Sequence, residues 1–132
     1  MSIRVLLSSK HKVVSEGIAA VLRTHHDMNL VGISENTERT QALCDETHPD
    51  VVLIGIHSNG VQERDLMQKL SHASAPRHIV AYSSESDRHG IIEILDAGAK
   101  AYVSTTSSID ELMSAIRAAA AGRTFLCQSA AS

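Results

Sequence analysis

The chain of 132 residues is 43% hydrophobic, 2% aromatic and 20% charged, with a formal net charge of −3. This length suits a single domain with one real core, and the scarcity of aromatics leaves Leu, Ile, Val and Ala to fill it. The negative balance argues against a domain that grips nucleic acid by itself, because phosphate binding needs a clustered cationic face.

Residues 3–7 (Ile-Arg-Val-Leu-Leu) form an apolar run of strand length, ended by Ser8-Ser9-Lys10. The run is too short for a signal peptide or a membrane span, so a soluble cytoplasmic protein with no membrane partner is expected. Val14, Ile18, Val21 and Leu22 recur at helical spacing and predict a helix over about residues 11–23. Residues 28–34 predict a second strand. A helix over residues 37–46 follows, with Asn36 as N-cap and a thin apolar stripe of Ala42 and Leu43.

The stretch Pro49-Asp50-Val51-Val52-Leu53-Ile54-Gly55-Ile56 holds a long apolar run without polar alternation, rich in β-branched residues. Such a run is the pattern of a strand buried on both faces, the central strand of a parallel sheet. Leu66, Met67 and Leu70 mark a third helix, and residues 78–82 a fourth strand. Ile91, Ile92, Ile94 and Leu95 mark a fourth helix that Gly98 terminates. Residues 101–103 are a short fifth strand; Ile109, Leu112, Met113, Ile116 and Ala120 make the last helix. Five alternations of strand and helix, with right-handed crossovers, predict an α/β doubly wound parallel sheet with helices on both faces. Residues 1–121 are expected to form the domain and residues 122–132 to begin an interdomain linker.

In open α/β sheets the working pocket lies outside the carboxyl ends of the strands. The central strand presents Gly55 there, a residue with no side chain and no chemistry. There is also no Gly-rich phosphate cradle, no Gly-x-Ser-x-Gly elbow, and no Cys/His or paired-carboxylate set at matched strand ends. Cys44 and Cys127 are far apart and in no metal or redox spacing, so they read as reduced thiols. The chain is therefore read as a non-enzyme without metal or cofactor.

The order and spacing of several segments resemble a bacterial response-regulator receiver domain, in the NarL/FixJ branch whose output is a LuxR-type helix-turn-helix. The carriers are residues 3–7, Glu16-Gly17, residues 49–54, Gly60, Ala97-Gly98-Ala99 with Tyr102, and Ile116-Arg117-Ala118 leading to Gly122-Arg123. The resemblance runs from about Ile3 to Leu126 and implies a flavodoxin-like (CheY-like) fold with five strands in the order 2-1-3-4-5. It further implies an acidic pair after the first strand to hold Mg²⁺, a phosphoacceptor aspartate ending the third, a hydroxyl after the fourth and a lysine after the fifth. In this chain those positions hold Ser9 and Lys10, Gly55, Ser83 and Thr105. Only the hydroxyl is retained, and the expectation is a degenerate, phosphorylation-independent receiver.

The remaining candidates carry a functional and a plain reading each. Lys10 is either a built-in cation, or an anion-binding group with Ser9, Ser83 and Thr105, or a solvated lysine. Ser83 is a switch hydroxyl or a turn cap; His57 is a pH sensor beside Gly55 or an exposed loop residue. Tyr102 aligns with an aromatic that the family moves on activation, or is a half-buried strand tyrosine. The last helix is apolar over more of its circumference than one stripe requires, so Ile109, Leu112, Met113, Ile116, Ala118 and Ala121 are candidates for a homodimer interface. The expected function is regulation of transcription, through dimerisation or control of a C-terminal DNA-binding domain that is missing from this chain. DNA would be reached only through that domain. A stand-alone protein adaptor, or a small-molecule sensor using the vacated phosphorylation pocket, are the alternatives.

Overall fold

Six parallel strands make one sheet in the order β2-β1-β3-β4-β5-β6 in the computed structural model, which describes residues 2–56, 60–73, 77–84 and 87–131. The elements are β1 (Ile3–Ser8), α1 (Lys12–Arg23), β2 (Met28–Ser34), α2 (Thr37–Thr47), β3 (Val51–Ile56) and α3 (Val61–Ser71). They continue with β4 (His78–Ser83), α4 (Arg88–Asp96), β5 (Ala101–Ser104), α5 (Ile109–Ala120), β6 (Phe125–Leu126) and α6 (Gln128–Ala131). The doubly wound sheet expected from the alternation, and the flavodoxin-like fold that the resemblance implies, are present.

The apolar run of β3 lies at the heart of the sheet between β1 and β4, and every one of its residues is buried. Val51, Val52, Leu53 and Ile54 are fully inaccessible, and each such side chain contributes about 1.5–3 kcal/mol of hydrophobic stabilisation. Successive strand residues point to opposite faces, so the strands feed two cores. Leu6, Val52, Ile54, Ile79 and Tyr102 pack toward residues of α2, α3 and α4. Val5, Leu7, Leu53, Val80 and Tyr82 pack toward α1 and α5.

Caps end the helices where the sequence places them. Asn36 accepts a hydrogen bond from the Arg39 amide at 2.7 Å, the N-cap expected of it. Ser108 and Glu111 form a complete capping box at the start of α5. After α4, Gly98 takes φ +124°, and a Cβ there would lie 2.0 Å from Ser71 Oγ, so only glycine fits that turn. Arg117 grips Asp27 with Nε and Nη2 at 2.8 and 3.3 Å, which ties α5 to the start of β2 and holds the Asp27 carboxyl below its ordinary pKa.

Two expectations are corrected. The sheet has six strands rather than five, because residues 125–131 do not leave the domain as a linker. Phe125 and Leu126 pair with Ala101 and Tyr102 of β5, and Cys127 is fully buried behind them. The Gln128 amide donates to Glu111 Oε2 at 2.7 Å, which pins α6 to the first turn of α5. Nor is the whole apolar arc of α5 available to a partner. Met113, Ile116 and Ala118 are buried in the domain's own core, whereas Ile109 is 53% exposed, Ala121 is exposed and Leu112 is intermediate. The helix is apolar around much of its girth because β3, β4, β5 and β6 cover it.

Candidate functional site

The carboxyl ends of β1, β3, β4 and β5 bring together some of the sequence-predicted residues and separate others. In the parallel register Gly55 of β3 lies opposite Tyr82 of β4, and register partners share a face of the sheet. The Tyr82 ring lies across Gly55. A Cβ at position 55 would stand 2.7 Å from both Cζ and the hydroxyl oxygen of Tyr82 and 2.8 Å from Cε1, well inside van der Waals contact. The space a strand-end Cβ would occupy is therefore filled by a neighbour's ring. Tyr82 is only 4% exposed, and its hydroxyl donates to Ser9 Oγ at 3.0 Å. Burial raises the pKa of that hydroxyl, the bond to Ser9 opposing it, so the neutral phenol is the form held here.

Ser9 is itself buried. Its hydroxyl also accepts from the His11 amide at 3.2 Å, and its own amide donates to the Ser34 carbonyl at 3.0 Å. The residue acts as a polar keystone between the end of β1, the start of α1 and Tyr82. Ser8 beside it bonds Thr40 of α2 at 2.7 Å.

Lys10 points away from this group, toward α3. Its ammonium lies 3.6 Å from Glu63 Oε1 and donates to Gln62 Oε1 at 3.3 Å. The Lys10 side chain is 47% exposed, but that of Glu63 is 6% exposed, and its Oε1 accepts no hydrogen bond among the described residues. Lys10 is thus neither a freely solvated lysine nor an open anion-binding group: it is the counter-ion of a buried carboxylate. A magnesium ion does not fit this donor set. A hard dication takes oxygen ligands, carboxylates above all, and here a fixed ammonium already stands against the nearby carboxylate.

Ser83, Tyr102 and Thr105 meet around one backbone group. The Ser83 carbonyl receives the Thr105 amide at 3.0 Å and the Tyr102 hydroxyl at 3.4 Å. Tyr102 is fully buried rather than half-buried; Thr105 is exposed. His57 lies outside the described residues. Among those residues no group of three or more His, Cys, Asp or Glu side chains could hold a metal ion. Burial pushes the Cys44 thiol up to about 11, which disfavours the thiolate.

Sequence reasoning missed Tyr82 and Glu63. Both carried a signal. Tyr82 is an aromatic one residue before Ser83 at the end of a strand, and so close to the strand-end positions already singled out. Glu63 stands three, four and seven residues before Leu66, Met67 and Leu70, so it falls on the apolar stripe of α3, where a carboxylate needs a partner.

An open, doubly wound parallel sheet that keeps the order β2-β1-β3-β4-β5 is the CheY-like fold. The chain belongs to the response regulator receiver domain family, whose model matches residues 5–117. It is similar to the transcriptional regulatory protein LiaR of Bacillus subtilis, with 30% identity over 120 residues, 91% of this chain and 57% of that protein. The nitrate/nitrite response regulator protein NarL of Escherichia coli is 25% identical over 124 residues, 94% of this chain and 57% of NarL. The chain thus spans little more than half the length of these relatives. A structure of two RcsB dimers bound to two parallel DNAs superposes with a TM-score of 0.86 at 17% identity, covering 99% of this chain and 66% of that one. At that identity the likeness speaks for the fold.

Proposed function

We infer that this domain is a phosphorylation-independent receiver of a NarL-type transcription regulator, and that it acts through self-association and control of a C-terminal DNA-binding domain. The observation that carries the reading is Gly55 at the end of β3 with the Tyr82 ring against it. A receiver without a strand-end carboxylate has no atom to form an acyl phosphate, and a tyrosine packed on the glycine leaves the substrate phosphoryl group no approach to that position. The Lys10–Glu63 pair supports the same reading, since it places a permanent positive charge on the loop where the family holds its dication. Incubation with acetyl phosphate and Mg²⁺, followed by intact-mass measurement, is expected to leave the mass unchanged. A phosphoryl adduct that hydroxylamine removes would overturn this reading.

Self-association is supported by apolar side chains left in water on α1 and α5, with Val13 84% and Ile109 53% exposed, and by the dimers of RcsB. Exposed apolar groups of this kind often mark interfaces. Sedimentation of the wild type against Val13→Glu with Ile109→Glu is expected to show a dimer converted to a monomer. A wild type that stays monomeric at high concentration, or a variant that keeps the same dimer, excludes this face.

A further inference from the structure

The cavity beside Tyr82 borders the α1–α5 region used above for self-association, with Ile109 on its rim. It occupies about 340 Å³ between α1 and α5, at the lower end of the range for small-molecule sites. Its floor is Tyr82 and Val103, and its walls include Val14, Ile18 and Val21 of α1 and Leu112 of α5. One end is polar: Ser104, Thr105, Ser107 and Ser108 line it with hydroxyls. No ionisable side chain other than the neutral, buried Tyr82 phenol is among its lining residues.

We propose that this cavity is a binding site for a small, uncharged molecule with an apolar body and a hydrogen-bond acceptor, such as a ketone or ester carbonyl, at one end. The absence of charge follows from the lining, because an ion moved from water into an apolar cleft without a counter-charge is strongly disfavoured. The acceptor follows from the hydroxyl end. Ser107 Oγ already accepts from the Ser104 amide at 3.1 Å, and Ser108 Oγ accepts from the Glu111 amide at 3.1 Å. A hydroxyl whose oxygen is engaged in this way keeps its O–H to donate. The apolar body follows from the valine, isoleucine and leucine walls. Gly17 holds the α1 wall back, since a Cβ built there meets nothing within 4 Å. The polar end is joined to α6: Glu111, which accepts from the Ser108 amide with Oε1 at 3.3 Å, accepts from the Gln128 amide with Oε2 at 2.7 Å. The inference does not depend on whether the domain is phosphorylated.

The test uses the neutral fluorophore 2-dimethylamino-6-propionylnaphthalene, which has an apolar body, a ketone acceptor and an emission that shifts to the blue in apolar surroundings. Titration of the chain is expected to give a saturable 1:1 blue shift. Gly17→Leu, which fills the cavity mouth without touching the core, is expected to weaken binding about tenfold or more, while Val61→Ser, remote on α3, leaves it unchanged. Gly17→Leu also replaces a poor helix former by a good one, so its melting temperature is expected to match or exceed that of the wild type. In parallel, amide shifts in NMR spectra are expected at Gly17 and across residues 104–112. Absence of saturable binding, equal affinity in Gly17→Leu, or amide shifts confined to another part of the domain would each overturn the proposal. So would sedimentation in which a wild-type dimer dissociates in step with the fluorescence, because that result assigns the cleft to a second copy of the chain.

Discussion

Gly55→Asp is expected to destabilise the domain by about 3 kcal/mol or more, and to leave it unlabelled by acetyl phosphate, although it supplies the nucleophile the family uses. The magnitude has two sources. Added volume in a filled site costs about 1–3 kcal/mol through displaced neighbours, and the neighbour here is an aromatic ring 2.7 Å from the new Cβ, held in place by its bond to Ser9. The carboxylate is then placed at a buried position, and the lysine on the β1–α1 loop, Lys10, is already paired to Glu63; burying an uncompensated charge is costly. A double-mutant cycle separates steric conflict from charge. Tyr82→Val is destabilising in the wild-type background because it opens a cavity. In the Gly55→Asp background the same change removes the clash, so the two effects are expected to be non-additive by about 1 kcal/mol or more. Urea unfolding of the four proteins measures this. If Gly55→Asp unfolds within about 0.5 kcal/mol of the wild type, or the cycle is additive, the ring does not occupy the site as described. Efficient Mg²⁺-dependent labelling of the single variant would show that a metal can still be held despite Lys10.

Lys10→Met is expected to destabilise the domain by about 1–2 kcal/mol. Removing one partner of a fully buried ion pair costs about 3–5 kcal/mol because the other charge is stranded; the lower figure applies here because Lys10 is half-exposed and water shares its role. The loss is expected to be asymmetric. Glu63→Gln leaves behind a lysine that water can solvate, whereas Lys10→Met leaves a carboxylate that is 6% exposed. Chemical denaturation should therefore rank Lys10→Met below Glu63→Gln, and the double variant should recover most of the difference. Equal effects of the two single substitutions would mean that the ion pair does not govern the join between the β1–α1 loop and α3.

The two expected results share a physical origin. In a phosphorylated receiver, charge arrives from outside, as a cation and a phosphoryl group. In this chain the corresponding region is closed by groups already in the polypeptide: a ring over Gly55, a hydroxyl at Ser9 that receives the ring's phenol, and an ammonium fixed to Glu63. Tyr82 also lines the cavity on the α1–α5 side, so the same ring borders both places.

Much of this was legible in the amino-acid order alone. The unbroken apolar run of residues 51–56 announced a strand buried on both faces, and the alternation around it a doubly wound sheet, because periodicity reports burial directly. That Ser9, Lys10, Gly55 and Thr105 stand where the resemblance implies an acidic pair, an aspartate and a lysine was equally plain, since it needs only residue identities at aligned positions. What the order could not decide was where side chains from different elements meet. That Tyr82 would cover Gly55 depends on the register between β3 and β4, and that Lys10 would turn to Glu63 depends on how α3 packs. The buried side of α5 was misjudged for the same reason: eight small and apolar residues on one helix do not say which of them β6 and the sheet will cover. Phe125, Leu126 and Cys127 were too few for a strand signal of their own. They became one only because β5 offered an open edge whose backbone groups had to be paired, a requirement that exists in the folded sheet and nowhere in the local sequence.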